Sequence, residues 1–252
     1  MPHSAFFEYL LRLGDNALIL GHRLSEWCGH GPILEQDIAM TNIALDQVGQ
    51  ARSLLQYAGQ VEGKGRTEDQ LAYLRDVGDY RNVLLVEQPN GDFAHTITRQ
   101  FLFDAFNYFQ FEALKQSSDE HLRAIAAKSF KEIAYHLRYS SEWMIRLGDG
   151  TEESHQRMQA ALEDLWMFSG ELTEVTEVDE LMLETGVAPD LRSIKKLYDE
   201  KIAAIIQEAT LVLPADTWMQ SGGKTGQMHS EHLGFILAEL QFVQRAYPGM
   251  EW

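Results

Sequence analysis

The residues of this chain whose types and spacing could do chemistry are Glu26, Gln47, Gln50, Asp104 and His136. Each lies in a stretch whose apolar residues recur every three or four positions, the spacing that puts side chains on one face of a helix. Asp15, Ile19, His22 and Glu26 share one stripe. Met40, Ile43, Gln47, Gln50, Leu54 and Tyr57 share a second. Ile97, Phe101, Asp104, Tyr108 and Phe111 form a third, and Leu122, Ala126, Ser129, Ile133, His136, Ser140 and Trp143 a fourth. The apolar members predict that every stripe faces inward, so each buried face carries a polar residue partway along it. Burying such a group costs free energy unless it finds a partner. Two arrangements would supply one: a hydrogen-bonded polar plug that fixes helix register, or a metal site.

A carboxylate-bridged di-iron centre in a helical bundle takes one Glu or Asp from each of two helices and a Glu-x-x-His from each of the other two. Two irons need several anionic oxygens, and the i, i+3 spacing aims the Glu and His at one point. Here the second helix offers Gln47-Val48-Gly49-Gln50, neutral at both ligand positions. The fourth offers Ile133-Ala134-Tyr135-His136, with an apolar group where the carboxylate belongs. Glu26, Asp104 and His136 remain, and two carboxylates with one imidazole are too few for two irons. A mononuclear site is the residual metal reading. An intact Glu-x-x-His does occur, at Glu152 and His155, but it opens a helix capped by Thr151, where acids serve the helix dipole. His229, Glu231 and His232 also cluster near a helix start; further zinc ligands cannot be placed, and a surface or interface role is the preferred reading.

The elements that must position these residues read as helices over 6–28, 34–60, 67–77, 93–115, 119–147, 151–170, 191–208 and 229–247. Val83-Leu84-Leu85-Val86, before the turn signal Gln88-Pro89-Asn90-Gly91, is the one extended candidate. The four long helices come as two pairs, each joined by a short turn, with a longer connection between pairs. That connectivity predicts an all-α, ferritin-like four-helix bundle with one crossover. The core would span about 5–148, with additional helices over about 151–252, in a single domain covering 1–252.

Composition narrows the function classes. Apolar residues make up 45% of the chain and charged residues 23%, as in an ordinary globular protein. The net charge of −17 repels nucleic acid and anionic lipid and argues against a dominant grip on coenzyme phosphates. No apolar run could span a bilayer, the first residues lack a signal-peptide pattern, and Cys28 is the sole cysteine, which together point to the cytoplasm.

Several segments resemble a known family. Leu13-Gly14-Asp15-Asn16, Leu24-Ser25-Glu26-Trp27-Cys28-Gly29-His30, Asn42-Ile43-Ala44-Leu45-Asp46 and Gly49-Gln50-Ala51-Arg52 are similar to the C components of the bacterial 1,2-phenylacetyl-CoA epoxidases, a family of multicomponent monooxygenases. So are Leu84-Leu85-Val86-Glu87-Gln88-Pro89-Asn90-Gly91, Lys131-Glu132-Ile133-Ala134-Tyr135-His136-Leu137-Arg138 and His229-Ser230-Glu231-His232-Leu233-Gly234. The resemblance implies a ferritin-like fold and a cytoplasmic hetero-oligomer with the related A component, the catalytic subunit, which holds the di-iron centre. A reductase with flavin and iron-sulfur, together with a smaller subunit, completes a complex that epoxidises the ring of phenylacetyl-CoA with O2 and NADPH, in aerobic phenylacetate breakdown. It implies for this chain a structural role, no cofactor of its own, no catalytic residue, and a degenerate di-iron site at Glu26, Gln47, Gln50, Asp104, Ile133 and His136. A homodimer is an alternative assembly for the isolated chain. The competing function is an oxidase or oxygenase acting alone through that degenerate site.

Restoring the ligand pattern tests the register of these stripes. The triple substitution Gln47→Glu, Gln50→His, Ile133→Glu is expected to bind iron or manganese better than the parent in metal-replete expression. Buried charge destabilises it without metal, so added metal should raise its Tm. Equal metal content in both proteins would sink the register.

Overall fold

The computed structural model describes residues 2–215 and 217–250; Met1, Asp216, Glu251 and Trp252 lie outside the described residues. Its helices form two compact units, one made of the chain through Gln88 together with the stretch from Gly222 onward, the other running Pro89–Ser221. The first unit holds α1 (Pro2–Ser25), α2 (Leu34–Glu62), α3 (Glu68–Tyr73), a 3-10 turn at Val77–Asp79, α4 (Leu84–Glu87), α11 (Glu231–Leu240) and α12 (Phe242–Ala246). The second holds α5 (Phe93–Leu114), α6 (Glu120–Gly148), α7 (Glu152–Trp166), α8 (Gly170–Thr173), α9 (Glu177–Glu184) and α10 (Leu191–Glu208). No strand occurs among the described residues, and no described helix is long and apolar enough to cross a membrane. The class is all-α, as the periodicity predicts.

Each unit contains one long helical hairpin. In the first, α1 lies along α2 so closely that a Cβ on Gly14 would meet Leu55 at 2.8 Å and one on Gly21 would meet Gln47 at 3.2 Å. These glycines, seven residues apart, set the approach of the pair. In the second, α5 and α6 start on caps with a clear chemistry: Asp92 accepts from the His95 N–H and Asp119 from the Leu122 N–H, each satisfying a donor at a helix start. α5 is buried almost all round, with Phe101, Leu102, Phe103, Ala105 and Phe106 in the core.

Some boundaries differ from the sequence reading. Val83–Val86 is not extended: Leu84–Glu87 is a helical turn with Val83 ahead of it. All four of its residues are buried, and a short run buried on every side has no periodicity to separate turn from strand. α3 stops at Tyr73, α7 at Trp166, and the last helix breaks at Gln241. The short helices α8 and α9 are too brief to announce themselves by period.

Buried polar contacts fasten the irregular part of the first unit. Asp15, fully buried on α1, pairs with Arg75, and its Oδ2 accepts from Arg75 Nη1 at 2.9 Å and from the Arg81 N–H at 2.9 Å. Arg75 also donates to the carbonyls of Leu71 and Asp79 and lies 4.3 Å over the Tyr80 ring. Next along α1, Asn16 accepts from the Val83 N–H at 2.8 Å. The C-terminal helices reach the same segment through buried Gln241, whose amide donates to the carbonyl of Arg75 at 2.9 Å.

Removing one member of a buried ion pair leaves an uncompensated charge, at a cost of about 3–5 kcal/mol. Arg75→Met is therefore expected to lower the unfolding free energy by about that amount in urea titration, and Asp15→Leu with Arg75→Met to lose less than Arg75→Met alone. A single variant no less stable than the parent would rule the pair out as an anchor.

Candidate functional site

The second unit carries the more complete set of buried polar residues. Asp104 of α5 and His136 of α6 are both fully buried. Gln100, one turn before Asp104, donates to its Oδ1 at 2.7 Å; Ser140 Oγ lies 2.8 Å from Oδ2 and 3.0 Å from the His136 carbonyl. Burial pushes the Asp104 carboxyl up to about 7, while the neighbouring His136 and the Ser140 and Gln100 hydrogen bonds pull it the other way. When protonated, Asp104 can donate to Ser140 Oγ while that hydroxyl donates to the His136 carbonyl. Ile133, one turn before His136, is fully buried and offers no oxygen.

In the first unit, Gln47 and Gln50 sit on the buried face of α2, as their stripe predicts. Neither polar atom of the Gln47 amide meets a hydrogen-bond partner among the described residues. Glu26 does not join them. α1 ends at Ser25, so Glu26 falls past the helix end, exposed, where its carboxylate accepts from Arg23 at 3.0 Å. The i, i+4 projection that made it an inward residue has no helix left to run on. Arg23 in turn donates to the Glu87 carbonyl. His22 is half-buried, and burial lowers its pKa. Asp15, the other acid on that stripe, is committed to Arg75.

His229, read as a surface or interface residue, is the clearest miss. Its side chain is 3% exposed, with Nδ1 2.5 Å from Glu87 Oε1 and Nε2 3.2 Å from the Tyr80 carbonyl. Glu87 is itself fully buried and also takes the Asn82 amide on Oε1 and the Ser230 N–H and hydroxyl on Oε2. A carboxylate serving four donors from two distant stretches of chain ties 222–250 into the first unit. The sequence signal was present: Glu87 and His229 each lie in a segment singled out above, with nothing to say that the two meet. Glu231 is exposed and His232 partly so. At the intact Glu-x-x-His, Thr151 caps the helix as expected and forms a capping box with Ser154, Glu152 and Glu153 are exposed, and His155 Nδ1 donates to the Gly148 carbonyl at 2.7 Å.

Among the described residues no three His, Cys, Asp or Glu side chains gather as a metal-holding group. The donor chemistry also does not fit two irons: Gln47, Gln50 and Ile133 bring no negative charge, Glu26 is turned to solvent and Arg23, and both oxygens of Asp104 face protein hydrogen-bond partners.

Long helical hairpins with buried mid-helix polar residues place the chain in the ferritin-like all-α class. It belongs to the family described as "Phenylacetic acid catabolic protein", which matches residues 2–252. A relative from Escherichia coli (strain K12), the C component of 1,2-phenylacetyl-CoA epoxidase, is 50% identical over 244 residues, which cover 97% of this chain and 98% of the relative.

The raised pKa of Asp104 has a measurable consequence. A carboxyl that holds its proton more tightly folded than unfolded favours folding at low pH, and that advantage is lost as pH rises from the ordinary carboxylate range, about 4, through about 7. Asp104→Asn keeps the shape without the charge. It is expected to raise Tm at pH 8 by on the order of 5 °C, with the gain fading toward pH 5. A gain that is flat with pH, or a loss at pH 8, would contradict a buried carboxyl of that kind.

Proposed function

We propose that this chain is a non-catalytic structural subunit of a phenylacetyl-CoA epoxidase, pairing with and supporting the subunit that holds the di-iron centre. The reading rests above all on the donor set. Three of the six positions that would ligate iron hold Gln47, Gln50 and Ile133, and a fourth, Glu26, lies beyond the end of its helix. Polar volume is kept at two of these positions while the charge needed to hold iron is gone, so the bundle packing survives without the metal. The kinship in name comes from the relative, an epoxidase C component with which this chain shares half its residues over nearly the full length of both. In the full assembly the partners are the catalytic subunit, a smaller subunit and a flavin and iron-sulfur reductase. This chain contributes packing surface and no electron or oxygen chemistry.

The direct test is the iron-to-protein ratio of the chain purified alone from iron-replete cells. The expected ratio is close to zero, with no epoxidation until the catalytic subunit is added. A ratio near one or two would overturn the structural role.

A further inference from the structure

Between α5, α6 and α10 the second unit opens a cleft of about 390 Å3. That volume suits a small molecule, whose sites run roughly from 300 to 1,000 Å3. Tyr108 and Phe109 of α5 line it together with Leu137 of α6. The Tyr108 ring stands edge-on to Phe109 at 5.2 Å and tilted against Phe130 at 5.0 Å. Packed on both sides, this aromatic wall is in place before any ligand arrives.

Two cations line the same cleft, Arg138 of α6 and Lys201 of α10. Neither forms an ion pair among the described residues, in a chain with 38 acids to 21 Lys and Arg. On the same two helices Arg146 faces Glu142 and Lys195 faces Asp199. The Arg138 guanidinium lies over the Tyr135 ring at 5.5 Å, a contact that uses none of its N–H donors. Ser141 of α6 also lines the cleft. It is 6% exposed, and its Oγ has no hydrogen-bond partner among the described residues. A buried hydroxyl left unpaired is costly, and one staggered step in χ1 re-aims it. Among the described residues that line the cleft, Glu142 is the one acid.

We propose that this cleft binds a small organic monoanion, one carboxylate on a flat apolar body. The body lies against Tyr108, Phe109 and Leu137. Arg138 and Lys201 take the carboxylate, and Ser141 Oγ turns to donate to it. Charge decides which anion fits. Two cations against one acid leave a single positive charge at the cleft, which a carboxylate neutralises. A phosphate dianion brings charge that Glu142 repels. An uncharged molecule of the same shape forgoes the charge-assisted hydrogen bonds. The site is built from three helices of one unit and needs neither metal nor partner subunit, so it stands or falls apart from the structural role proposed above.

The experiment is isothermal titration calorimetry of the purified chain with naphthoate, its uncharged counterpart naphthamide and inorganic phosphate, with Tm recorded for every variant. Naphthoate should saturate at one molecule per chain, with naphthamide and phosphate each weaker by about tenfold or more. Arg138→Gln and Lys201→Gln should keep the parental Tm and each weaken naphthoate by about tenfold. Ser141→Ala removes an unpaired buried hydroxyl, so its Tm should not fall while naphthoate weakens by about fivefold. No saturable binding of naphthoate overturns the site. Naphthamide binding as tightly as naphthoate makes the cleft merely apolar and overturns it too. Phosphate binding as tightly makes it a general anion patch and overturns the ligand class. Naphthoate affinity unchanged in variants that fold like the parent places the binding elsewhere and overturns the residues named here.

Discussion

The carboxylate of Asp15 is the constraint from which the first unit is built. It has no solvent to share its charge, so the chain must bring Arg75 and the Arg81 N–H to it. That requirement fixes the irregular stretch between α3 and α4, where no helix would otherwise dictate a path. Asn16 extends the grip to Val83. With that stretch in place, Tyr80 and Glu87 stand where His229 and Ser230 can reach them, and Gln241 finds the Arg75 carbonyl. One ion pair thus propagates through hydrogen bonds into the docking of the last thirty or so residues, in line with the rule that buried charges persist where every neighbour is satisfied.

The buried polar residues of α2, α5 and α6 carry a different balance. Asp104 keeps three hydrogen-bonding neighbours in order: Gln100, Ser140 and, through Ser140, the His136 carbonyl. Gln47 has no such company among the described residues. A polar side chain left this way in a core is costly. It is a feature to expect where an amide has taken a ligand's place, the reading proposed above.

How much of this could be read from the residues alone depended on period. Long amphipathic stretches gave α1, α2, α5, α6 and α10 to within a few residues, and the burial of Gln47, Gln50, Asp104, Ile133 and His136 followed from the same arithmetic. Period says nothing at a helix end, which is why Glu26 was carried inward by extrapolation while the helix had already stopped at Ser25. It says nothing about a run buried on all sides, hence α4. Nor does it give contacts between residues more than a hundred positions apart, so the Glu87–His229 pair was visible only as two notable segments.

The return of the C-terminal stretch to the first unit has a consequence for how the polypeptide is made. Pro89–Ser221 is one uninterrupted segment, inserted between the two parts of the other unit. During vectorial synthesis its internal contacts are all available once Ser221 has left the ribosome. Glu87, by contrast, is synthesised more than a hundred residues before His229 and Ser230 arrive to hydrogen-bond it. The hairpin of α1 and α2 is contiguous and can form early, but the contacts its unit makes with the stretch from Gly222 onward can form only after the inserted unit has been made. Domains that fold as they emerge favour contiguous segments; here the discontinuous unit is the one whose buried Glu87 lacks its C-terminal partners until synthesis has passed Ser230.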